Sequence, residues 1–221
     1  MIARLFVIWF LGWASAWGAL EWDRLPDLPD REGFAGVFSG VVSEKGEDFL
    51  VVTGGANFPD GRPWEDGKKI YYNDIYVLPL KEGGEWRKAE VKLPQPVGYG
   101  MSASLDEGSC WFMGGKNDSG CLSESYRVKV ENGKVIVGKA LSLPGPLAEG
   151  VAAVVDGTLI VGSGTNGDET IREFYAMKDE AEWEVLGWPE GARGRMYAVG
   201  GVKGGTLYFF GGRDNADSEE E

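Results

Sequence analysis

The sequence predicts an all-β propeller assembled from four-stranded blades. Three observations carry that prediction. An apolar run ending in a glycine doublet occurs as Phe49-Leu50-Val51-Val52-Thr53-Gly54-Gly55, as Cys110-Trp111-Phe112-Met113-Gly114-Gly115 and as Leu207-Tyr208-Phe209-Phe210-Gly211-Gly212, with a weaker copy at Leu159-Ile160-Val161-Gly162-Ser163-Gly164. Counted this way the doublets begin at 54, 114, 162 and 211, at intervals of 60, 48 and 49 residues, close to the period of one propeller blade. Short apolar runs separated by polar turns then recur in the same order inside every unit, and helical periodicity has almost no support.

Each unit opens on a Gly/Ala-rich segment, at 36–42, 98–104, 150–155 and 197–202, followed by a polar turn and the strand that ends in the doublet. A third strand carries a tyrosine, Tyr76, Tyr126 or Tyr175, and a fourth often carries a tryptophan, Trp86 or Trp183, ahead of Leu-Pro or Trp-Pro. Glycine suits the doublet because it accepts positive φ and lets neighbouring sheets approach where blades converge. The Tyr and Trp rings fill the wider space between blades, a packing role that outweighs any ligand contact. The segments 34–92, 98–143 and 149–188 each supply four strands, and 196–212 supplies two.

The chain has 221 residues, with 22 Lys plus Arg against 35 Asp plus Glu, a net charge of −13 and no histidine. The missing histidine excludes Ser-His-Asp and Cys-His nucleophiles and His-ligated zinc, and the acidic balance argues against nucleic acid as a partner. A hydrophobic share of 43% with nine Trp is enough for a core. Arg4, the apolar run at 5–13 and Ala14-Ser15-Ala16 have the order of a secretory signal peptide, assigned to 1–19, with cleavage after Ala16 or Gly18. Export implies a periplasmic or secreted bacterial protein, with no membrane partner after cleavage. In an oxidising compartment Cys110 and Cys121 could pair across a hairpin, and two free thiols are the alternative. Two cysteines without histidine give too few soft ligands for a structural zinc.

Hydrophobic strand, Gly-Gly, Tyr and Trp together resemble the kelch motif over nearly all of 20–212. Ahead of the first blade, Leu20-Glu21-Trp22-Asp23-Arg24-Leu25-Pro26 is similar to the outer strand that closes such a ring. The resemblance therefore implies an incomplete portion of a six-bladed propeller: a closing strand, three full blades and a partial fourth at 20–213, then an acidic tail at 214–221. Open propeller edges predict homo-oligomerisation.

Chemistry-bearing residues concentrate between Gly55 and Asn73, a connection far longer than an ordinary hairpin turn. Arg62, Lys68 and Lys69 can hold a carboxylate, Trp64, Tyr71 and Tyr72 offer flat faces to a sugar ring, and Asn57, Glu65 and Asp66 can hydrogen-bond hydroxyls. A solvated loop with incidental ion pairs is the competing reading. Gly98-Tyr99-Gly100 and Arg193-Gly194-Arg195 open their blades nearest the axis, which adds Tyr99 and Arg193 to the candidates against a plain turn-glycine and surface-arginine reading.

Glu32-Gly33-Phe34-Ala35-Gly36, Gly54-Gly55-Ala56-Asn57-Phe58-Pro59, Asp66-Gly67-Lys68-Lys69 and Asp74-Ile75-Tyr76 resemble the bacterial kelch-type N-acetylneuraminate epimerases, or sialate mutarotases, in their cyclically permuted branch. That resemblance implies interconversion of the α and β anomers of sialic acid, a small anionic sugar acid, without metal or cofactor. For such a substrate the loop and axial residues already named, Asn57, Arg62, Trp64, Lys68, Lys69, Tyr99 and Arg193, are the binding candidates. The Glu and Arg pair assigned to catalysis in that family belongs to a blade without a counterpart here, which leaves Glu65 as the candidate acid or base. A noncatalytic exported kelch module that binds glycans or proteins through its loops is the alternative. Copper oxidase and sialidase propellers are excluded by the missing histidines and by the lack of Ser-x-Asp-x-Gly-x-x-Trp boxes.

Overall fold

A computed structural model describes residues 22–214. The expected signal peptide at 1–19, and the expected tail beyond Asp214, lie outside the described residues. The first blade contains β1 (Phe38–Glu44), β2 (Glu47–Thr53), the two-residue strands β3 (Ala56–Asn57) and β4 (Ile70–Tyr71), β5 (Asp74–Pro79) and β6 (Arg87–Lys92). The second runs through β7 (Met101–Asp106), β8 (Ser109–Met113), β9 (Lys116–Asn117), β10 (Gly120–Cys121), β11 (Ser125–Glu131) and β12 (Lys134–Lys139). The third comprises β13 (Val151–Val155), β14 (Thr158–Gly162), β15 (Phe174–Lys178) and β16 (Glu182–Leu186), and a last hairpin β17 (Val199–Lys203) and β18 (Thr206–Phe210). All sheets are antiparallel, ordered β1-β2-β5-β6, β7-β8-β11-β12 and β13-β14-β15-β16, with β17-β18 alone. The fold is thus a portion of a kelch-repeat β-propeller, as its sequence predicts.

Local chemistry sets the register. Lys45-Gly46, Asn132-Gly133 and Asp156-Gly157 all have positive φ at both positions, the two-residue turn whose twist matches the flanking strands. These turns fix Glu44 opposite Glu47, Glu131 opposite Lys134 and Val155 opposite Thr158. Asp74, at the start of β5, pairs with Lys88 at 2.9 Å and Lys92 at 2.8 Å and so ties the outermost strand of blade one to its neighbour.

The core lies between blades. Phe38, Val51, Ile75 and Val77 of blade one pack against Cys110, Phe112 and Val128 of blade two. Met101, Trp111 and Met113 of blade two pack against Leu159, Val161 and Met177 of blade three. Beyond blade three, Phe174 stacks on Trp188 with centroids 5.3 Å apart, and Phe209 of β18 meets Phe174 edge-on at 5.3 Å. Each large apolar side chain so buried contributes about 1.5 to 3 kcal/mol before entropy is counted.

The doublets join blade to blade. The second glycine donates its N–H to a carbonyl that opens the next blade: Gly55 to Val97 (2.8 Å) and Gly115 to Leu147 (2.8 Å). Gly164 makes the same bond to Arg195 (2.6 Å), so in blade three the doublet position is Ser163-Gly164, not Gly162-Ser163. Gly162 belongs to β14, opposite Val151 and Phe174. Ser163 takes the left-handed backbone with φ 58, and its hydroxyl donates to the Arg195 carbonyl, a polar substitute for the missing glycine.

Two other expectations are settled. Cys110 and Cys121 are both free thiols; Cys110 is buried, with its sulfur 3.3 Å from the Ser104 hydroxyl. Residues 22–26 of the expected closing strand form no strand, and Trp22 is 87% exposed.

Candidate functional site

Inner strands begin, and second strands end, at the same end of the propeller, so that end collects the doublets and the loops that follow them. Just ahead of each inner strand stands one residue with left-handed backbone: Gly36 (φ 66), Tyr99 (φ 60), Glu149 (φ 58) and Tyr197 (φ 59). They are linked in series around the axis. Tyr99 N–H donates to the Gly36 carbonyl (2.7 Å), Glu149 N–H to Tyr99 (2.7 Å) and Tyr197 N–H to Glu149 (2.8 Å). Three residues with side chains therefore occupy a conformation that costs each about 1 to 2 kcal/mol relative to an ordinary backbone, held there by the chain of hydrogen bonds.

A second position repeats directly after each doublet: Ala56, Lys116, Thr165 and Arg213. Each bridges to the residue preceding the left-handed one, as Ala35 with Ala56, Gly98 with Lys116, Ala148 with Thr165 and Met196 with Arg213. The two series together put Glu149, Lys116, Tyr99, Tyr197 and Arg213 in one cluster.

Glu149 is its centre. Its side chain is 2% exposed, and the Lys116 ammonium and the Tyr197 hydroxyl both donate to Oε1. Lys116 Nζ also lies 5.1 Å from the centre of the Tyr99 ring, and the Arg213 guanidinium 5.2 Å from that of Tyr197. Burial, reinforced by the Glu149 carboxylate, pushes the Tyr197 hydroxyl up to about 12. Burial likewise raises Tyr71 and the Cys121 thiol, with Lys116 opposing both. Among the described residues no three carboxylates or thiols are grouped to hold a metal ion.

The long loop reaches this cluster with part of its chemistry. Lys69 places its ammonium 5.2 Å from the centre of the Tyr99 ring and 5.7 Å from that of Phe58. Tyr71 meets Tyr99 edge-on with centroids 6.3 Å apart. Two lysines and Tyr71 thus surround the Tyr99 ring, with the Glu149 carboxylate joined to them through Lys116, and of the residues singled out in the sequence, Lys69, Tyr71 and Tyr99 belong to this group.

The others have different surroundings. Asn57 donates to the Gly33 carbonyl (2.9 Å) and accepts from the Tyr72 hydroxyl (2.7 Å), which fastens the loop to the chain ahead of β1. Glu65 accepts from the Arg62 N–H (3.0 Å) and closes the single 3₁₀ turn, Pro63–Glu65, while the Arg62 guanidinium faces Glu32 at 3.4 Å. Gly67 has no room for a side chain, since a Cβ there would lie 1.8 Å from the Gly61 carbonyl oxygen. Trp64 is 80% exposed on the same turn, and Lys68 is exposed beside it. Arg193 pairs with Asp214 at 2.6 Å at the end of the open hairpin.

Glu149, Lys116 and Tyr197 escape motif reading because their partners come from different blades. A signal was present nonetheless. Aligned on the inner strands, Ala35-Gly36-Val37, Gly98-Tyr99-Gly100, Ala148-Glu149-Gly150 and Met196-Tyr197-Ala198 show one position that changes from glycine to an aromatic ring to an acid between mostly small neighbours.

No family model matches the chain. It is 33% identical over 129 residues to an N-acetylneuraminate epimerase of Haemophilus influenzae (strain PittEE), covering 52% of this chain and 32% of that protein. It is 34% identical over 123 residues to an N-acetylneuraminate epimerase of Yersinia enterocolitica (serotype O:8 / biotype 1B), covering 48% and 29%. The chain thus spans about a third of the length of the curated relatives it matches. The solved structure of YjhT superposes with a TM-score of 0.64 at 15% identity, over 85% of this chain and 64% of that one, a likeness of fold.

Proposed function

We propose that this protein is a carbohydrate mutarotase that interconverts the α and β anomers of N-acetylneuraminate or a closely similar sugar acid. The observation that carries the reading is the pairing of two ammonium groups, Lys69 and Lys116, on one aromatic ring, Tyr99, at the axial end of the blades. Mutarotation of a sugar acid needs a cation for the carboxylate, an aromatic face for the ring and groups that exchange protons with the anomeric hydroxyl and the ring oxygen. All three chemistries meet at Tyr99. The similarity to N-acetylneuraminate epimerases over half of the chain supports the same substrate class. With a net charge of −13, long-range attraction does not bring an anion to this protein, so local lysines must hold it. The reading takes no metal or cofactor. It keeps the protein exported, to the periplasm or beyond, on the strength of Arg4, the apolar run at 5–13 and Ala14-Ser15-Ala16.

Proton NMR of freshly sialidase-released N-acetylneuraminate, followed with and without the protein at slightly acidic pH, tests the proposal. Faster α-to-β conversion is expected, and Lys69→Met should raise KM about tenfold by removing a charge-assisted contact. No acceleration from folded protein would favour the glycan- or protein-binding module.

A further inference from the structure

The buried carboxylate of Glu149 is not explained by the architecture around it. The same backbone position carries Gly36 in blade one and tyrosine in blades two and four, so the fold does not require an acid there. Burying a charge is costly, and a paired buried charge is weak evidence for stability. Yet Glu149 is 2% exposed, held in left-handed backbone, and drawn through one oxygen toward a lysine from blade two and a tyrosine from blade four. Lys116, 28% exposed, and Tyr197, 45% exposed, line the approach from the axis. Lys116 is also the residue that links this carboxylate to the Tyr99 ring.

Building on the mutarotase reading above, we propose that Glu149 is the catalytic base, Lys116 the catalytic acid and Tyr197 a positioning residue that holds Glu149. The Glu149 carboxylate takes the proton of the anomeric hydroxyl as the bond between the anomeric carbon and the ring oxygen breaks. The Lys116 ammonium gives its proton to that ring oxygen, leaving an open-chain keto acid. After rotation about the bond next to the carbonyl, the former ring hydroxyl attacks the other face. Lys116 recovers its proton from the attacking oxygen, and Glu149 returns its own to the new anomeric oxygen. Both groups end as they began, and no oxidant or co-reactant enters.

The test compares wild type with Glu149→Gln, which keeps size and hydrogen bonding, by the NMR conversion assay and by saturation-transfer difference binding of N-acetylneuraminate. The expected result is a fall in kcat of about 100-fold or more, the usual share of one acid–base group, with KM and the binding signal within about threefold. Tyr197→Phe should lower kcat about tenfold with binding kept. If Glu149→Gln retains more than about a tenth of the rate, or if its loss falls wholly on KM, the role is overturned while the mutarotase reading stands. If wild type itself gives no acceleration, the reading falls and this role with it. Should Glu149→Gln not fold, Glu149→Asp keeps the pair with Lys116 but withdraws the oxygens by one methylene, and a loss of kcat below about tenfold there would equally overturn the role.

Discussion

Two regions built from one repeat have opposite surfaces. In the three complete blades, the residue two past the left-handed position is buried: Phe38 is 1% exposed, Met101 3% and Val151 4%. Val199, the same residue of the open hairpin, is 60% exposed. On the second strand, Val51 (0%) and Trp111 (2%) correspond to Tyr208 (53%), and Thr53 (1%) and Met113 (0%) to Phe210 (61%). The strands are alike in pattern and differ in what stands beside them. A blade of this protein gains its core from the following blade, so each sheet is half of two hydrophobic layers.

Truncating matched residues in the two regions gives the largest contrast. Trp111→Ala should cost about 3 to 5 kcal/mol, whereas Tyr208→Ala should stay within about 1 kcal/mol. Urea denaturation followed by far-UV circular dichroism measures both. Similar costs would mean that another surface covers the hairpin in solution, and light scattering would then show an assembly.

The doublets sharpen the comparison. A Cβ on Gly114 would lie 2.2 Å from the Leu147 carbonyl oxygen, while Gly211, with nearly the same φ, has nothing within 4 Å. Gly211→Ala should therefore cost about 1 to 2 kcal/mol from its backbone alone, and Gly114→Ala at least about 3, because a neighbouring blade must also move. Equal shifts in urea midpoint would sink the idea that these glycines are needed for close approach between blades.

The smallest effect concerns the bond that ties the open hairpin to its complete neighbour. Tyr197 has its hydroxyl pushed above its ordinary value to about 12 by burial and by Glu149, against Arg213, which favours ionisation. A raised value means that the neutral form stabilises the folded state. That contribution is whole below the unfolded tyrosine value of about 10 and is lost as pH rises toward about 12. Tyr175, hydrogen-bonded to Glu173, is raised to about 12 as well. Absorbance of tyrosinate should show one fewer group titrating near pH 12 in Tyr197→Phe than in the wild type, with a shallower alkaline loss of stability.

Much of this fold is written locally. The turns Asn132-Gly133 and Asp156-Gly157, the alternating burial along β2, and the glycine that closes each second strand are local requirements, and such a requirement restricts which residue can stand at a position. Ser163 shows where that legibility stops: a hydroxyl bond to Arg195 replaces the glycine and displaces the apparent doublet by one residue. The site was less readable for the same reason in reverse. Lys69 and Tyr99 stood out because they sit in an unusual loop and between glycines. Glu149 acquires its meaning from Lys116, 33 residues before it, and Tyr197, 48 residues after it, and nothing short-range in the chain announces either pairing. Arg62 and Glu65, singled out in the sequence as a carboxylate holder and a candidate acid or base, instead shape the turn that carries Trp64.

The hydrogen-bonded series through Gly36, Tyr99, Glu149 and Tyr197 has an evolutionary consequence. Main-chain atoms alone fix where each of these residues begins, and the series accommodates no side chain, an aromatic ring or an acid without altering its connections. A single codon change in one repeat can therefore exchange the chemistry shown at the axis while leaving every interblade layer intact. Lineages of such propellers can diversify in ligand preference by independent, one-residue steps, long before any blade has to be repacked.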